Sequence, residues 1–183
     1  MIAALADALR DSIVVPSASV GMSSLAVLVI AGPLAAWWLA ARRRAAGAIA
    51  ALALLPILAL TMTPTSRDMR IGCAVDWSPQ LTTAEPLWNV LLFVPFGLAL
   101  AVAWRRPVLA VAAGSATSFG IELVQAVVTP IGRSCDTSDW IANTSGALIG
   151  VLLAGVGLGL ARLQRRDAER AAAQADPRRQ LQH

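Results

Sequence analysis

The 183-residue chain is 57% hydrophobic and only 14% charged, against roughly a quarter charged in an ordinary soluble domain, so the composition excludes a soluble globular class and points to a membrane one. All fifteen basic residues are arginine, and the formal net charge is +4. The arginines cluster at the ends of apolar runs, so anchoring against anionic lipid accounts for the basic balance, and no nucleic-acid partner is expected.

In chain order, residues 1–19 carry a weak apolar stripe, Ile2, Leu5, Leu9 and Ile13, opposite Asp7, Arg10 and Asp11. It reads either as an interfacial helix on the outer surface or as a flexible terminus. No basic n-region or cleavage site marks a removable signal, so the first long apolar run is expected to stay in the protein. A helix needs about 20 apolar residues to cross the hydrocarbon, and five segments approach or meet that length. They are expected at about 20–41, closed by Arg42, Arg43 and Arg44; 45–62; 87–104, closed by Arg105 and Arg106; 108–128, interrupted by Glu122 and Gln125; and 140–160, closed by Arg162, Arg165 and Arg166. The expected class is thus an all-α integral membrane bundle of about five transmembrane helices over 20–163. The Arg-rich stretch 164–183 would extend the last span into the cytoplasm. An N-out, C-in orientation puts Arg42–Arg44, Arg105, Arg106 and the six arginines from Arg162 onward inside, and leaves Arg10, Arg67, Arg70 and Arg133 outside, as the positive-inside rule requires.

That topology places both cysteines, Cys73 and Cys135, in outward loops, which predicts a disulfide between them on the oxidising side. The alternative is a pair of free thiols. The only histidine is the last residue, His183, which argues against a His-based metal site or a Ser-His or Cys-His nucleophile pair. No metal and no cofactor are expected.

Polar residues inside the spans carry the functional signal. A carboxylate at Glu122 costs on the order of 3 kcal/mol on an insertion scale unless it faces the bundle interior or a wet cavity. Ser115, Ser118, Glu122 and Gln125 share one helical face, as do Asp139, Asn143, Gly146 and Gly150, and as do Asn89, Phe93 and Phe96. A polar cluster of Asn89, Glu122, Gln125, Arg133, Asp136, Asp139 and Asn143 is therefore expected at the outer end of the last three spans. Arg133 is expected to pair with Glu122 or Asp136, and Asp136 or Asp139 is the candidate cap of the last helix. Gly146 and Gly150 have the spacing of close helix packing, repeated by Gly155 and Gly159. Pro95 and Gly97, with Pro56 and Pro33, suggest kinked helices.

The runs Asn89–Gly97, Ile121–Gln125, Gly132–Asp136 and Asp139–Gly150 together resemble the VanZ-like family. The resemblance covers about Leu87 to Val151. It implies a small bacterial multi-pass protein of the plasma membrane, of a kind associated with resistance to teicoplanin-type glycopeptides. By resemblance, Asn89, Pro95, Gly97, Glu122, Gln125, Arg133, Asp136, Asp139, Asn143, Gly146 and Gly150 occupy characteristic positions, without assigned roles. The reading favoured is an outer-leaflet site that binds, or alters access to, lipid-linked envelope precursors or lipoglycopeptides, with membrane lipids as partners. The alternatives are an enzyme using Glu122, Asp136 or Asp139 as acid or base on a lipid-linked substrate, a proton-coupled transporter, and a structural protein. The absence of a nucleophile or metal signature weighs against the enzyme.

Overall fold

The structure, a computed structural model, describes residues 17–63, 72–78, 83–133 and 135–175. The stripe at Ile2, Leu5, Leu9 and Ile13, together with Arg10, Arg67, Arg70, Ser134, Arg178, Arg179 and His183, lies outside these residues. Among the described residues, five helices are each long and apolar enough to cross a membrane: α1 (Ala18–Leu39), α2 (Arg43–Met62), α3 (Ala84–Trp104), α4 (Pro107–Val127) and α5 (Thr137–Gln174). The protein is an all-α, multi-pass membrane bundle. Its third and fifth helices are longer than their apolar runs alone suggest. Glu85 and Pro86 supply a first turn to α3, the Asp136 side chain caps α5 at Ser138 N–H (2.8 Å), and α5 continues through its arginines to Gln174. An acidic group at a helix N-terminus satisfies free N–H groups and meets the positive end of the helix dipole.

Helix α3 is the hub. It is the most buried of the five and packs against each of the others, most extensively α5. Helix α1 lies against α5 and α3 and barely touches its chain neighbour α2, which lies on α3 instead. Lipid offers no hydrophobic drive for helices to associate, so close backbone approach and interhelical hydrogen bonds must do it. Small residues on α5 provide the approach. A Cβ on Gly146 would lie 2.2 Å from the Val90 carbonyl oxygen, and one on Gly150 would lie 2.1 Å from that of Val94. Gly97 of α3 answers them, with Ala147 backbone against it. The expected continuation at Gly155 and Gly159 is not used: a Cβ added at either would meet no other residue within 4 Å. Gly157 takes that role, against the Pro33 carbonyl and Trp37 of α1. Further along, the same face of α5 changes partner from α3 to α1: Gly157 lies about two turns beyond Gly150 on one buried stripe, and Gly155 and Gly159 fall on the opposite side.

The two ends of the bundle differ in chemistry. At one end Arg43 Nε donates to the Ala103 carbonyl (2.9 Å), Arg105 to the Ala40 carbonyl, and Trp37 Nε1 to Gln164 Oε1 (2.6 Å). Burial, with Arg162, Arg43 and Arg165 nearby, holds the Arg105 guanidinium below its ordinary pKa. At the other end a short parallel pair, β1 (Cys73–Ala74) with β2 (Cys135–Asp136), ties the α2–α3 loop to the start of α5. The Cys73–Cys135 disulfide lies within that pair. Asp76 N–H donates to Thr137 Oγ1 and that hydroxyl donates to the Asp76 carbonyl, each at 2.8 Å, which extends the seam by one turn.

Candidate functional site

Beside that seam the ends of α2, α3, α4 and α5 enclose a cavity of about 360 Å³. It is lined by Leu60 and Thr61 of α2; Glu85, Trp88, Asn89 and Leu92 of α3; Glu122 and Gln125 of α4; Arg133; and Asp139 and Asn143 of α5. Six of the seven polar residues expected from the sequence thus share one cavity. The seventh, Asp136, does not line it and serves as the α5 cap. The helical stripe on α4 explains the convergence: Ser118, Glu122 and Gln125 are all buried, at 0%, 5% and 7% exposure.

The polar groups are held by specific partners. Asp136 N–H donates to the Glu122 carboxylate (2.8 Å), and Asn89 Nδ2 donates to Asp139 Oδ1 (2.7 Å). Asn143 Nδ2 donates to Ser118 Oγ (2.9 Å), and Gln125 Nε2 to the Thr61 carbonyl (2.9 Å). Beyond Asn143, Trp140 Nε1 and Thr144 converge on the Ser115 hydroxyl (3.1 and 3.2 Å). Each bond joins two elements, so the network fixes the helices as well as the cavity wall.

The expected ion pair of Arg133 with Glu122 or Asp136 is not formed. Among the described residues no carboxylate lies within 4.0 Å of the guanidinium; Arg133 Nε instead donates to the Thr63 carbonyl (3.3 Å) at the end of α2. The reason is local. The chain enters α5 through an extended Asp136, and its N–H, at the end of the short β pair, reaches the buried carboxylate first. Arg133 and Glu122 face the same cavity without touching.

Sequence reasoning missed Thr61, Glu85 and Trp88. Glu85 and Trp88 sit in the first turns of α3, and an apolar-run criterion starting at Leu87 leaves Glu85 in a loop. A Thr83-Ala-Glu-Pro start, a helix N-terminus pattern with an acid in the first turn, is the signal that could have found it. Thr61 contributes a backbone carbonyl, for which no side-chain pattern exists.

A family model described as VanZ/LLP1 matches residues 47–158, more than half of the chain. The chain belongs to the VanZ/LLP1 family. The match takes in α2, α3, α4 and the first part of α5, the four helices that wall the cavity, and leaves α1 outside. No curated protein and no solved structure matches this VanZ-family chain.

Proposed function

We propose that this VanZ-family protein resides in the bacterial plasma membrane with the disulfide end outward, and that the cavity there binds a lipid-linked envelope component or a lipoglycopeptide and so alters antibiotic access to the membrane surface. One observation carries the reading: Asn89, Glu122, Gln125, Asp139 and Asn143, which a bilayer penalises, converge from three helices on one open-mouthed cavity with Trp88 and Leu92 on its apolar wall. A purely structural network has no need of a cavity. The orientation is supported by the disulfide, a bond kept in oxidising compartments, at one end and the arginine cluster at the other.

The test is expression of Asp139→Asn, Asn143→Ala and Arg133→Ala in a teicoplanin-sensitive host. Membrane abundance and protection are measured side by side. Native abundance with lost protection supports a working site. Loss of abundance in parallel with protection in every variant assigns the cluster to structure and overturns the reading.

A further inference from the structure

We infer that the cavity is the headgroup half of a lipid site whose ligand is a zwitterionic aminophospholipid, a primary ammonium tethered to a phosphodiester, with one acyl chain lying in the adjoining groove between α1 and α3. The inference rests on the reading of the cavity as a binding site and names a membrane phospholipid as its ligand class.

The hydrogen-bond inventory of the cavity is lopsided. The three amides already donate: Asn89 to Asp139, Gln125 to the Thr61 carbonyl, Asn143 to Ser118. On the acceptor side, Asn143 Oδ1 has no hydrogen-bond partner among the described residues although Asn143 is 2% exposed, and a buried acceptor left so is costly. Among the described residues, three carboxylates, Glu85, Glu122 and Asp139, and one guanidinium, Arg133, line the cavity. What complements this wall is a positive group rich in N–H donors. A primary ammonium is such a group: it carries three N–H donors and no acceptor. Arg133 is the complement of the remaining half of such a headgroup, since a guanidinium matches a phosphodiester's oxygens.

The groove gives the chain a place. It has a volume of about 630 Å³, opens laterally, and shares Trp88 and Leu92 with the cavity, so these two side chains are the wall between headgroup and hydrocarbon. Its α1 face is Val20, Val27 and Leu28, with Ser19, Ser23 and Ser24. The Ser23 and Ser24 hydroxyls donate to the Ser19 and Val20 carbonyls (3.0 and 2.9 Å) and the Ser19 hydroxyl bonds that of Ser17 (2.8 Å), so all three are met locally and ask nothing of a hydrocarbon chain. An amphiphile straddling Trp88 meets matched chemistry on both sides.

The experiment uses the full chain, purified in detergent and offered equal amounts of dioleoyl phosphatidylethanolamine, dioleoyl phosphatidylcholine or dioleoyl phosphatidylglycerol. Retained lipid is read by native mass spectrometry. The ethanolamine lipid is expected to be retained about tenfold over the glycerol lipid, and above the choline lipid, whose cation has no N–H, since charge-assisted hydrogen bonds in a buried site carry differences of that order. Asn143→Ala and Asp139→Asn should erase the preference. Val27→Trp, a lipid-facing change in the groove that leaves the cavity intact, should lower retention of the ethanolamine lipid. Equal retention of the three lipids by the native protein overturns the inference, as does unchanged retention in Val27→Trp. If Asp139→Asn loses teicoplanin protection at native abundance while the native protein shows no lipid preference, the aminophospholipid falls and the binding reading stands. An ethanolamine preference with protection unaffected in that variant does the reverse.

Discussion

The Asp136 backbone N–H donates to the Glu122 carboxylate at 2.8 Å across the junction between α4 and α5. Glu122 is 5% exposed and is therefore a fixed structural acceptor as well as part of the cavity wall. Removing it strands a buried donor at the start of α5, which costs about 1–3 kcal/mol. Glu122→Ala is expected to lose stability in that range in SDS-driven unfolding from mixed micelles. Glu122→Gln, which keeps a carbonyl acceptor, should stay near the native value. Equal stability of the alanine variant and the native protein would show that the bond contributes nothing.

The Cys73–Cys135 disulfide spans 62 residues of sequence and lies beside the seam that holds Asp136 in place. In the chain-entropy account, closing a loop of this size stabilises by about 4 kcal/mol. Cys135→Ser should lower unfolding stability by a large part of that and leave Cys73, which is solvent-exposed, as a free thiol. In intact cells that thiol should react with a membrane-impermeant maleimide. Labelling only after the membrane is permeabilised would reverse the proposed orientation.

The glycines of α5 divide by what faces them. Gly150→Ala puts a methyl 2.1 Å from the Val94 carbonyl oxygen, on backbone that cannot move aside, whereas Gly155 has nothing within 4 Å. Overpacking at such a contact typically costs about 1–3 kcal/mol. Gly150→Ala should therefore destabilise by that amount or fail to accumulate. Gly155→Ala should be neutral or gain up to about 1 kcal/mol from helix propensity. Similar behaviour of the two would mean that the α3–α5 approach is looser than this geometry.

Much of this arrangement is legible in the sequence, and the reason is periodicity. Ser118, Glu122 and Gln125 fall on one face of α4, and a bilayer tolerates such a face only when it turns inward, so their burial follows from spacing alone. Counting spans puts both cysteines in outward loops, which favours the disulfide over a pair of free thiols. Partners do not follow. Glu122 is met by a backbone N–H and Arg133 by a backbone carbonyl, and main-chain groups carry no side-chain signature. Nor does spacing say that α5 serves two helices in turn; it does say that Gly157, on the face of Gly146 and Gly150, is the glycine that packs, and that Gly155 and Gly159 fall on the opposite side. Composition finds the helices; contact chemistry between them needs the fold.

Asn89 and Asp139 form the bond that joins α3 to α5 at the cavity mouth, 2.7 Å from Nδ2 to Oδ1. A hydrogen bond to a charged group is worth about 1.5–3 kcal/mol. Breaking it from one side leaves the carboxylate in a half-buried position without that donor. Asn89→Leu is expected to destabilise by that amount, and Asp139→Leu somewhat less, because the residue left behind is then a neutral amide. Because each single change already removes the shared bond, the double variant should cost less than the sum, with a coupling of about 1–2 kcal/mol, as for residues in direct contact. SDS unfolding of the four proteins measures the cycle. Additivity within about 0.5 kcal/mol, the behaviour of distant sites, would mean that the two side chains do not interact.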